Sequence, residues 1–210
     1  MTEKIEVFKQ NSIRIRAEIG TIYVDPFDIA ETENDAAFVL VTHDHYDHFD
    51  PDSIEKVSNP DTVLIMPEKM VQKAKTISNL VKKIVSVNPG IKANIDGLEL
   101  ETVAAYNLMK PFHPKSAGWV GYILNINGKR VYIAGDTDVT KEAKAVQCDI
   151  ALVPVGGTFT MNAEKAAELV NAIAPEVAIP VHYGSVVGSP EDGKEFASLV
   201  KEPIRVELKI

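Results

Sequence analysis

The segment His43-Asp44-His45-Tyr46-Asp47-His48 constrains this chain more than any other feature, because it sets three imidazoles and the Asp47 carboxylate within six residues. It directly follows Ala37–Thr42, a continuous apolar run of the kind expected for a strand buried on both faces. So many ring nitrogens at the end of a buried strand have no ordinary packing role. In extended backbone His43 and His45 point to the same side and can share one metal. A following turn lets Asp47 and His48 face a neighbouring position. Imidazole and carboxylate together suit zinc, iron, manganese or nickel, and no thiolate is required.

One metal with an open coordination position cannot use all four ligands. Two metals at ~3.5–4 Å can, if a carboxylate bridges them and other segments complete the shells. The rest of the chain offers His113 in Lys110-Pro111-Phe112-His113-Pro114, Asp136 in Ala134-Gly135-Asp136-Thr137, and His182 in Pro180-Val181-His182-Tyr183. Alone, His182 reads as a packed residue and Asp136 as a helix cap. Beside the cluster both read as ligands, since each ends an apolar strand as His43 does. All five histidines are then assigned.

Around these residues the pattern is α/β. Short β-branched segments at 5–8, 12–18 and 21–24 read as strands, the last two an antiparallel pair about Gly20. Further strands are expected at 63–66, 84–87, 98–105, 120–126, 130–134, 150–153, 177–180 and 205–208. Asn127-Gly128 closes a hairpin between two of them. Helices are expected at 51–58 behind Asp50 and Pro51, then at 67–77, 141–146, 163–173 and 191–200. Strands open each half and helices close it, as two similar α/β units packed face to face would require.

At 210 residues a single domain spanning 1–210 is the expectation. No apolar run approaches the ~20 residues needed to span a bilayer, and charges at Glu3, Lys4, Glu6 and Lys9 interrupt any signal-peptide core. The single cysteine, Cys148, forms no internal disulfide, so a cytoplasmic location is expected. A net charge of -8 without a basic stripe argues against nucleic-acid partners. It leaves room for a small anionic substrate, because a bound dication reverses the local field. Exposed sheet edges leave room for a homo-oligomer.

His43-x-His45-x-Asp47-His48, followed in order by His113, Gly135-Asp136-Thr137 and His182, resembles the metallo-β-lactamase superfamily. Within it the chain is most similar to small metal-dependent hydrolases related to ascorbate-6-phosphate lactonase. The resemblance implies a four-layer αββα sandwich. It also implies that His43, His45 and His113 hold a first metal, that Asp47, His48 and His182 hold a second, and that Asp136 bridges. No cysteine occupies a ligand position, unlike many β-lactamases of this fold.

The expected activity is hydrolysis of a small ester, lactone or phosphodiester by a metal-bridging hydroxide, with two divalent transition metals, zinc foremost and manganese, iron or nickel as alternatives. Asp47 and Asp136 are the expected catalytic carboxylates. Lys110 and Lys115 flank His113 and are candidates to receive an anionic group. Thr158, Thr160 and Tyr183 are further candidate substrate contacts. Trp119 reads as core, and Asp44 and Tyr46 as residues that orient the ligands. A nuclease and a non-catalytic metal-binding or sensory domain are the competing readings. The acidic balance and the absence of an RNA-gripping insertion count against the first, and the intact ligand set against the second.

Overall fold

A computed structural model describes residues 1–210. Thirteen strands form two mixed sheets. The first runs in chain order through β1 (Ile5–Val7), β2 (Ile13–Ala17), β3 (Gly20–Val24), β4 (Ala36–Leu40), β5 (Val63–Pro67) and β6 (Lys83–Val87). β1 to β3 pair antiparallel, and β3 to β6 parallel. The second holds β7 (Lys92–Ile95), β8 (Leu98–Ala104), β9 (Val120–Ile126), β10 (Lys129–Ile133), β11 (Ile150–Pro154), β12 (Val177–Val181) and β13 (Arg205–Val206), again in chain order. β7 to β10 meander antiparallel and β10 to β13 are parallel.

The main core lies between the sheets, where Ile15, Ile22, Leu40 and Ile65 of the first meet Tyr122, Leu124, Leu152 and Ile179 of the second. Each sheet is also covered outside. α1 (Pro51–Val57) packs Ile54 and Val57 on the first sheet. α2 (Lys141–Lys144), α3 (Ala163–Ile173) and α4 (Asp192–Leu199) cover the second. The result is the αββα sandwich. β5, β11 and β12 are buried along their whole lengths, as parallel strands covered on both faces must be.

Local chemistry sets the boundaries. Asp50 accepts from the Asp52 amide at the start of α1, and Asn162 accepts from the Lys165 amide at the start of α3. Asn127 and Gly128 turn the β9–β10 hairpin with φ of 51° and 77°, the type I′ signature. The helix expected at 67–77 is instead a pair of 3₁₀ turns, Glu68–Met70 and Lys73–Leu80. There the Thr76 and Ser78 hydroxyls donate to carbonyls three residues back, and only a few side chains of the segment are buried. β7 is not among the expected strands: it is a four-residue edge strand in which exposed Lys92 and Asn94 alternate with half-buried Ala93 and Ile95, too short for a clear pattern. No helix is long and apolar enough to cross a membrane.

Candidate metal centre

The parallel strands deliver the chemistry to one edge of the sandwich, as strand ends do in α/β folds. His43 follows β4. The chain then folds back on itself, the His48 and Phe49 amides donating to the His45 carbonyl at 3.0 and 2.8 Å. Asp136 follows β10, and His182 follows β12. His113 comes from the loop joining β8 to β9. Gly135 lets the β10 end approach β4, since a Cβ there would lie 3.2 Å from the Thr42 Cβ. His113 and His182 hold φ of 56° and 59°, a left-handed conformation costing about 1–3 kcal/mol that only surrounding structure maintains. For His182 that structure includes its amide bond to the Gln10 carbonyl at 2.9 Å, and Gly156, where a Cβ would lie 2.3 Å from the His182 carbonyl oxygen.

The donors fall into two groups, His43, His45, His113 and Asp136 in one and Asp47, His48 and His182 in the other, with ligand atoms within 4.8 Å of one another in each. Asp136 faces both. Its Oδ2 lies 3.2 Å from His113 Nε2 and 3.7 Å from His43 Nε2, while its Oδ1 lies 3.3 Å from both His48 Nε2 and His182 Nε2. Asp47 Oδ2 lies 3.4 Å from His182 Nε2. The seven residues expected as ligands are therefore brought together.

The donor set fits transition-metal cations. His43 Nε2 faces His45 Nδ1 at 3.2 Å and His48 Nε2 faces His182 Nε2 at 3.1 Å, so lone pairs converge. His113 Nε2, Asp136 Oδ1 and His182 Nδ1 are buried without a hydrogen-bond partner. No lysine or arginine pairs with Asp47 or Asp136. Burial and the neighbouring imidazoles push His43 well below its ordinary pKa. Burial and His113 lower His45. Burial alone would raise Asp136, but His182, His48 and His43 hold it well below the carboxylate range. Neutral imidazoles and an ionised carboxylate are the forms that bind metal.

Behind the donors lies a residue the sequence reading missed. Asp25, at the end of β3, accepts from the Thr42 amide and hydroxyl at 2.7 and 2.6 Å and from the Asn11 amide at 2.7 Å. Its Oδ2 also lies 2.7 Å from His48 Nδ1. Such a partner fixes the tautomer of a ligand histidine and leaves Nε2 free. On the other flank the Asn107 side-chain amide donates to the Phe159 carbonyl at 2.8 Å and lies 3.2 Å from His113 Nδ1.

Several sequence expectations change. Lys110 binds the Asp138 carboxylate and the Thr160 carbonyl, and Lys115 binds Glu142, so neither cation faces the donors. Tyr183 turns away and donates to the Ile210 carbonyl at 3.0 Å. Thr160 is fully buried and donates to the Met161 carbonyl, and Thr158 lies outside the cavity beside the donors. Asp44 pairs with Lys73 rather than supporting a ligand, and Tyr46 is exposed. Trp119 is no distant core residue: its ring centre lies 4.9, 5.1 and 5.2 Å from those of His43, His45 and His113. The cavity encloses about 320 Å³, with His45, Asp47, Asp136 and His182 as its floor.

An αββα sandwich with nitrogen and oxygen donors gathered at one sheet edge defines a class of metal-binding proteins. The chain belongs to the metallo-β-lactamase superfamily: the family described as Beta-lactamase superfamily domain matches residues 4–182. A protein of Methanopyrus kandleri named a metal-dependent hydrolase is 33% identical over 178 residues, covering 81% of this chain and 76% of that one. A Pyrococcus abyssi protein of the same name is 30% identical over 201 residues, covering 88% and 87%. Among solved structures, a Parabacteroides distasonis protein described as a metal-dependent hydrolase superposes with a TM-score of 0.81 at 30% identity, covering 97% of this chain and 91% of that one.

Proposed function

We propose that residues 1–210 form a single-domain, cytoplasmic metal-dependent hydrolase with a two-metal site that cleaves a small ester, lactone or phosphodiester. The observation that carries this reading is Asp136, which presents one carboxylate oxygen to each donor group. In it His43, His45 and His113 hold one metal, Asp47, His48 and His182 the other, and Asp136 both. Zinc is the first choice for these donors, with manganese, iron and nickel as alternatives. The relatives named metal-dependent hydrolases support the reaction class.

Two bound dications supply a water that ionises near neutral pH and a Lewis acid for the substrate oxygen. The protein's own residues do the rest. Asp47 lines the cavity and stays ionised at neutral pH: burial opposes this, but the hydrogen bond from His182 outweighs it. In this reading its carboxylate orients the attacking water as well as binding metal. Asp25 holds the His48 ring at Nδ1, and the Gln10 carbonyl holds the His182 backbone.

Purified protein is expected to carry close to two transition metals per chain and to turn over a member of a broad ester, lactone and phosphodiester panel. Asp136→Ala lowers occupancy of both positions; loss at one alone overturns the bridging role. Silence across the panel with two metals bound overturns the hydrolase reading.

A further inference from the structure

The cavity wall opposite the donors is apolar. Beyond its floor of four donors, its lining consists of Phe112, Phe159, Val186, Val187 and Tyr46. Phe112 and Phe159 meet edge to face with ring centres 4.9 Å apart, which fixes both rings as one wall. Phe112, Val186 and Tyr46 are 44%, 40% and 66% exposed, so this wall is open to a ligand. Apolar side chains held open beside a polar floor are the ordinary construction of a small-molecule pocket.

Charge complements shape. Lys110, Lys115 and Lys73 pair with Asp138 at 2.9 Å, Glu142 at 2.6 Å and Asp44 at 2.7 Å, and no lysine or arginine lines the cavity. An anionic group on the part of the substrate remote from the donors would lose its water against valine and phenylalanine with no cation to receive it. A ring or branched chain there loses nothing and removes apolar surface from water.

We infer that this cavity seats the uncharged aryl or branched-alkyl part of an ester or lactone, and discriminates against phosphorylated or otherwise doubly charged substrates. This rests on the hydrolase reading for the scissile bond, but the seat itself can be tested by binding alone. The probes are acetohydroxamate, benzohydroxamate and 4-carboxybenzohydroxamate, measured by calorimetry on the Zn²⁺-loaded full chain. Benzohydroxamate should bind about 30-fold tighter than acetohydroxamate, the factor that roughly 80 Å² of extra apolar burial supplies. The 4-carboxylate should give back about tenfold or more of that gain. Phe112→Ala and Phe159→Ala should each remove most of the aryl gain while acetohydroxamate affinity holds.

Equal or tighter binding of the carboxylate overturns the inference, as does an aryl gain untouched by both substitutions or no binding by any of the three. The hydrolase reading fails differently: the probes rank as expected, but no ester, lactone or phosphodiester is cleaved. Turnover with a preference for the anionic members of the panel would keep the hydrolase and sink the seat.

Discussion

Asp25 Oδ2 lies 2.7 Å from His48 Nδ1, with both side chains fully enclosed, although 23 residues separate them in the chain. The contact exists because β3 and β4 pair in parallel, which brings the residue after Val24 beside the loop after Leu40. Asp25 also takes the Thr42 amide and hydroxyl, so one carboxylate ties the β4 end and the His48 ring together. Burial alone would lower the His48 pKa, but with no metal beside it Asp136 and Asp25 overcome burial and hold it well above the ordinary value, so a metal bound at Nε2 must displace that proton.

Removing Asp25 should therefore act on one donor group and not the other. Asp25→Ala is expected to weaken metal binding at the His48 position by roughly 10–100-fold while the His43 group keeps its metal. Metal analysis after dialysis against a graded chelator reads this directly. A variant that still holds both metals as tightly as the parent would show that Asp25 only braces the backbone.

Trp119 offers an optical reading of the same centre. It is the chain's only tryptophan, and its ring packs against His43, His45 and His113. Binding of paramagnetic Co²⁺ or Cu²⁺ to that group should quench most of the tryptophan emission, and His45→Ala should shift the quenching to higher metal concentration. Unchanged emission on stoichiometric loading would place the metal elsewhere.

Most of the gathered donors were legible in the sequence because they stand at the end of an apolar run, whereas His113 lies in a loop and gained meaning only beside the His43–His48 cluster. His43 to His48 could be read from six adjacent residues, and Asp136 and His182 from the strands before them. Asp25 has the same signal, Asp25-Pro26 after Gly20–Val24, but a lone Asp-Pro reads as a turn until β3 is known to lie beside β4. The expected substrate contacts were harder to place, for the opposite reason. Lys110 and Lys115 are near His113 in the chain, but their ammonium groups reach Asp138 and Glu142, partners fixed by tertiary packing. The apolar wall joins Phe112, Phe159 and Val186 from separate loops, and no single window of sequence contains it.

Cys148 should be chemically quiet. Burial, with help from Asp149, pushes its thiol up to about 12, so about one molecule in ten thousand carries the thiolate at pH 8. Ellman's reagent should leave the native protein unlabelled over minutes and label one thiol per chain in guanidinium. Rapid stoichiometric labelling of the native protein would show that the Cys148 region opens freely.

A surface contact behind the His113 loop gives a pH signature. The Lys115 ammonium binds Glu142 at 2.6 Å and the Tyr106 hydroxyl donates to the same carboxylate at 2.8 Å, linking the turn after His113 to α2. The hydrogen bond from Lys115, with Tyr106, lowers the Glu142 pKa to about 2. A carboxylate depressed by folding stabilises the native state above its unfolded value, and the contribution fades as pH falls through that value toward the folded one. Glu142 is partly exposed and its partner Lys115 is open to solvent, so solvent screens the pair and the effect is small. Glu142→Gln should lower Tm by a few degrees or less at pH 7, and the gap should narrow steadily between about pH 4.5 and the acid limit of folding. A gap that is flat with pH, or that widens in acid, would show that Glu142 contributes through packing and not through its charge.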